Sequence, residues 1–127
     1  MVYMYTATFV TEGSQVFARI PDLPGCVTSG NTLEEAIDLI TDAASLWLVS
    51  AEDDDDPIPE ASPQSALDVP SDAVVSLIRV DTIAYRAATD TKAVRKNVSL
   101  PSWMVILADK RGINCSKVLQ DSLMSMF

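Results

Sequence analysis

Apolar residues alternate with polar ones from the start of the chain, with Tyr3, Tyr5, Ala7 and Phe9 on one face. A period of two is the mark of a half-buried strand. The alternation breaks at Glu12-Gly13-Ser14 and resumes as Val16, Ala18 and Ile20, which predicts a hairpin. Pro21-Asp22-Leu23-Pro24-Gly25 is too rigid and turn-prone for a central strand, and Cys26 to Ser29 then form a short third strand ending at Gly30. Beyond it the period becomes helical. Leu33, Ala36, Ile37, Ile40, Ala44, Trp47 and Leu48 make one stripe that packs on the sheet, while Glu34, Asp38 and Asp42 face water. The predicted span is 32 to 51, with Trp47 a core residue rather than an interface one. Thr32 opens it as a capping box: its hydroxyl accepts from the Glu35 N–H and the Glu35 carboxylate reaches back.

Glu52-Asp53-Asp54-Asp55-Asp56, followed by Pro57, Pro59, Pro63 and Pro70, predicts a solvated, partly extended loop. A fourth strand follows at about 74 to 80. From Asp81 to Ala93 no period is clear, and a domain boundary falls near residue 90. Val94 to Leu100 alternates again, and Pro101 suits a first helical position because the N–H it lacks has no partner there. Trp103, Leu107 and Ala108 then predict a short helix ending at Gly112. Asn114 is the N-cap of a second helix, with Ile113 and Val118 placed as a hydrophobic staple. Val118, Leu119, Leu123 and Met126 form its buried stripe. Residues 94–127 thus read strand, helix, helix.

Charge divides the chain at the same place. The net charge of −9 is the sum of two unlike parts. Residues 92–127 carry Lys92, Arg95, Lys96, Lys110, Arg111 and Lys117 against Asp109 and Asp121, or +4, which leaves −13 on the first 91 residues. A basic end favours phosphates, whereas an acidic body repels them and steers toward cationic protein.

A single strand and two short helices cannot close a core, so a two-fold partner must supply the second strand. Arg95-Lys96-Asn97-Val98-Ser99-Leu100-Pro101, Leu107-Ala108 and Arg111-Gly112-Ile113-Asn114-Cys115-Ser116 together resemble the ribbon-helix-helix DNA-binding fold. That resemblance implies two strands paired in the major groove, their outward side chains on base edges. With Val98 and Leu100 turned inward, Arg95, Asn97 and Ser99 face DNA, and their chemistry suits guanine, adenine and either base respectively. The N–H groups of Cys115 and Ser116, with Lys117 beside them, are placed for a phosphate. Val98, Leu100, Val118, Leu119 and Leu123 make up the expected dimer core.

Ile20-Pro21-Asp22-Leu23-Pro24-Gly25-Cys26-Val27-Thr28, followed by Gly30-Asn31-Thr32-Leu33-Glu34-Glu35-Ala36, resembles HicB antitoxins. With the C-terminal likeness the resemblance spans nearly the whole chain. It implies an α+β protein: a partial RNase H-like antiparallel sheet with one main helix over residues 1–90, joined to a dimerising ribbon-helix-helix over residues 91–127. It also implies a HicA-type RNase toxin partner, bound by the N-terminal domain at residues the sequence leaves unknown, and repression of the shared operon through operator DNA. A homodimer is expected, with pairing into tetramers left open.

No enzyme is expected. A metal-dependent nuclease needs carboxylates converging on Mg2+, but Asp22 lies in a turn, Glu34 and Glu35 serve a helix start, and Asp53 to Asp56 lie in a predicted loop without cations to hold a nucleic acid. The chain has no histidine, and no Ser or Cys stands paired with a base. Neither metal nor cofactor is expected. Cys26 and Cys115 read as reduced, partly buried residues. No apolar run is long enough for a membrane span and no signal peptide is evident, which points to the cytosol. Two other readings are a stand-alone ribbon-helix-helix repressor whose N-terminal domain senses a small ligand, and a protein-protein adaptor that binds no DNA.

Overall fold

The first alternation becomes β1 (Val2–Glu12), which turns at Gly13 (φ 60°) into β2 (Gln15–Arg19). A computed structural model describes residues 1–127, which divide into two units, Met1–Thr89 and Asp90–Phe127. In the first unit β3 (Val27–Gly30), β2, β1 and β4 (Val74–Asp81) form an antiparallel sheet in the order β3-β2-β1-β4. The register sets Tyr5 opposite Ile78, Tyr3 opposite Val80 and Phe9 opposite Ala18. Directly opposite residues share a face, so these side chains all meet the helix that crosses the sheet.

That helix, α1 (Leu33–Asp53), lays Ala36, Ile40, Ala44 and Leu48 on Tyr5, Ala7, Phe9, Val16, Ala18, Ile20, Leu23, Ile78 and Val80. Burial of each large side chain among them contributes about 1.5–3 kcal/mol. Gly30 permits the close approach of β3 to α1, since a Cβ there would meet the Ala36 backbone N at 2.9 Å. Of the predicted capping box only the Thr32 half forms, its Oγ1 accepting from the Glu35 N–H at 3.1 Å. Leu33 is exposed. Trp47 is half-buried against the core and donates its Nε1–H to the Pro24 carbonyl at 3.0 Å.

Several expectations need correction. The helix runs to Asp53, so Glu52 and Asp53 belong to it and not to a loop. Residues 54–73 are fastened at several points. Ile58 packs on the core, Tyr5 donates its hydroxyl to the Pro59 carbonyl, and both the N–H and hydroxyl of Ser62 donate to Asp22. The Asp81 to Ala93 stretch contains a helix that periodicity does not reveal, α2 (Thr82–Thr89). It buries only Thr82, too little apolar surface to show a stripe.

The second unit consists of an irregular segment, residues 90–101, then α3 (Ser102–Lys110) and α4 (Cys115–Met126). The predicted strand at Val94 to Leu100 is not formed in the single chain, because a strand is held by a neighbour's backbone and this unit contains none. Pro101 is the N-cap of α3, one position earlier than expected. α3 ends in a Schellman motif: Gly112 (φ 63°) donates to the Asp109 carbonyl and Ile113 to that of Ala108. Asn114 caps α4 as predicted, its Oδ1 accepting from the Lys117 N–H at 3.1 Å. Cys26 is buried, but Cys115 is exposed, contrary to expectation. No helix is long and apolar enough to cross a membrane.

Candidate functional site

A unit of this size normally buries a cluster of side chains, yet in residues 90–127 Ala108 alone is buried. The dimer-core candidates Val98 (55% exposed), Leu100, Val118, Leu119 and Leu123 all stand open in the single chain. The Schellman turn and the Asn114 cap redirect the chain from α3 into α4. Between the helices lies an apolar groove of ≈ 560 Å³ whose walls include Leu107, Ala108, Ile113, Val118 and Leu119. Along the irregular segment the groove-lining residues are Lys96, Val98 and Leu100, whereas Arg95, Asn97 and Ser99 do not line it.

Leu123 lies outside the groove, and Trp103, Met104, Leu107 and Ile113 belong to it although the dimer core expected from sequence does not include them. The signal is present in Trp103 and Leu107, an i, i+4 apolar pair on one helix face.

At the start of α4 the Asn114 cap takes the Lys117 N–H and leaves the Cys115 and Ser116 N–H groups without an intrahelical acceptor. Lys117 Nζ pairs with Asp121 at 3.0 Å across one exposed turn. Such a pair is worth little, so the ammonium is easily transferred to another anion.

In the first unit the charges are not a featureless acid surface. Arg86 on α2 bridges Glu52 (3.1 Å) and Asp53 (2.9 Å) at the end of α1. Glu52 also accepts from Tyr3 and Thr82. Burial raises the Glu52 pKa, but these hydrogen bonds and the Arg86 charge outweigh it and hold the carboxyl below its ordinary value. Burial, followed by the bond to Glu52 and its charge, pushes Tyr3 up to about 12. Burial also raises the Cys26 thiol, which suits an inert core residue.

Residues 6–119 match the family described as "HicB_like antitoxin of bacterial toxin-antitoxin system". The chain is 27% identical over 113 residues to the "Uncharacterized 14.9 kDa protein in rep-hol intergenic region" of Haemophilus phage HP1, covering 87% of this chain and 80% of that one. Its fold is similar to a chain of a toxin-antitoxin complex from Streptococcus pneumoniae, with a TM-score of 0.62, 19% identity and full coverage of both chains. It is also similar to the antitoxin HicB of Burkholderia pseudomallei, with a TM-score of 0.55, 21% identity and 98% of each chain covered.

Proposed function

Because the chain belongs to the HicB-like antitoxin family of bacterial toxin-antitoxin systems, we propose a division of labour for it: residues 1–90 neutralise a HicA-type mRNA-cleaving toxin and residues 91–127 dimerise on operator DNA. The protein is a non-enzymatic regulator. Inhibition is steric. The acidic domain covers the toxin's cationic RNA-binding surface and excludes mRNA, as charge complementarity favours.

The observation that carries the second half is the uncovered apolar groove on the basic unit. A second copy supplies the missing strand, brings Val98 and Leu100 under the helices of both chains, and turns Arg95, Asn97 and Ser99 outward on a two-stranded ribbon. The ribbon enters the major groove, while the Cys115 and Ser116 N–H groups and Lys117 hold phosphates beside it. Binding at the operator of the shared operon makes the pair self-repressing in the cytoplasm.

Finding a short, basic reading frame next to this gene and co-expressing the two tests this reading. The two products are expected to co-purify, and the complex to retard a fragment of the shared promoter. Residues 1–90, shown to be folded by circular dichroism, are expected to neutralise the toxin without residues 91–127. A folded fragment that fails where the full chain succeeds would remove inhibition from the N-terminal domain.

A further inference from the structure

The cationic side chains of the first unit all lie off the outer face of α1. The three are Arg19, Arg79 and Arg86. Arg19 lies opposite Thr8 and Arg79 opposite Met4, at positions that face away from α1, and Arg86 is held by Glu52 and Asp53. Helix α1 has no Lys or Arg over its whole length. Glu35, Leu39, Asp42 and Leu46 follow one another at i, i+4, i+7 and i+11 with Asp38 alongside, and all five are exposed. None of the three carboxylates has an ion-pair partner.

This pattern works against the helix that carries it. Asp38 and Asp42 are like charges at i, i+4, which repel. The helix dipole accounts for Glu35 in the first turn but not for Asp42 in the third. Two leucines set among the carboxylates, 38% and 56% exposed, add apolar area that water does not favour. An acidic rim around apolar anchors is the complement of a cationic protein surface.

We infer that the solvent face of α1, centred on Asp38, Leu39, Asp42 and Leu46, is where the cationic toxin docks; this rests on the antitoxin reading of residues 1–90. The leucines hold the complex and the carboxylates steer its approach. The opposite face of the sheet carries Arg19 and Arg79 beside Glu12 and Asp81, so it offers a basic partner no net acidic charge.

The test uses the full chain and the basic toxin of the adjacent reading frame, titrated at several salt concentrations. Combined Asp38→Asn and Asp42→Asn is expected to weaken toxin binding by about tenfold or more at low salt and to flatten its salt dependence. Leu39→Ser with Leu46→Ser is expected to speed dissociation, and Leu77→Ser, exposed on the opposite face of the sheet, to change nothing. Thermal melts are expected to match wild type, since every substituted side chain is exposed. Wild-type affinity in the charge variant overturns the inference. So does a loss confined to Leu77→Ser, which puts the toxin on the sheet, or a change in operator affinity alone, which assigns the acidic face to the chain's own basic unit. A wild-type chain that binds no toxin overturns the antitoxin reading itself, and this inference with it.

Discussion

Tyr3 donates its phenol hydrogen to Oε2 of Glu52 at 2.8 Å, tying the first strand to the last turn of a helix 49 positions later. The same oxygen accepts from Thr82 Oγ1 at 3.1 Å, and Arg86 reaches the other oxygen. One carboxylate therefore joins β1, α1 and the helix at the C-terminal end of the first unit.

This joint gives the first unit a pH dependence at both ends. The folded pKa of Glu52 lies below its ordinary value, so its contribution is present at neutral pH and is lost as pH falls through the carboxylate range. Tyr3 is shifted up to about 12, so its contribution is present below its ordinary value near 10 and is lost as pH rises toward 12. Glu52→Gln is expected to cost about 1–3 kcal/mol at neutral pH. Urea midpoints across the pH range read both limbs: Glu52→Gln should flatten the acid one and Tyr3→Phe the alkaline one. An acid limb unchanged in Glu52→Gln would assign it to other carboxylates.

Gly30→Ala probes the seam between β3 and α1. The added Cβ meets backbone, the Ala36 N at 2.9 Å, and backbone at the start of a capped helix cannot swing aside as a side chain would. A loss of about 1–3 kcal/mol is expected by overpacking. Full retention of the melting temperature would show that α1 shifts freely along the sheet.

Most of the first unit is legible because its signals are local: alternation at Tyr3 to Phe9, a Gly turn, the Thr32 cap, a helical stripe. What is not legible depends on distant partners. Asp54 to Asp56 are solvated as their composition indicates, but Glu52 and Asp53 lie in α1 and pair with Arg86, a residue 34 positions from Glu52. Helix α2 does leave one local sign, Asp81, whose carboxylate accepts from the Ala84 N–H at 3.1 Å as an N-cap would. In the second unit the alternation at Val98 and Leu100 is readable. No strand follows from it within one chain, since the hydrogen bonds of a ribbon belong to two.

Leu100→Asp tests that two-chain requirement. Leu100 is 42% exposed in the single chain and lines the apolar groove. If a second copy covers it, an aspartate there becomes an unpaired charge in a small shared core, a loss of several kcal/mol, about 3–5, in dimer stability. Sedimentation is expected to show a monomer of unchanged N-terminal fold that has lost operator binding. A normal dimer with normal operator affinity would place Leu100 outside the interface.

Reading and holding of DNA separate in two further variants. Asn97 does not line the apolar groove and falls in the outward set of the proposed ribbon, whereas Lys117 sits at the start of α4 beside two N–H groups without intrahelical acceptors. Asn97→Ala removes hydrogen bonds to particular bases, so it is expected to cost about 1–3 kcal/mol on the cognate operator and far less on random DNA. Lys117→Ala removes charge that any duplex meets. Its only partner in the chain is Asp121, an exposed pair that offers phosphate little competition. Both DNAs should therefore weaken alike, and the slope of log affinity against log salt should fall by about one counterion for each phosphate no longer neutralised. Fluorescence anisotropy on the two duplexes over a salt series measures both effects. If Asn97→Ala lowers both affinities by the same factor, the residue holds the backbone instead of reading bases, and the outward face of the ribbon is not the face that enters the groove.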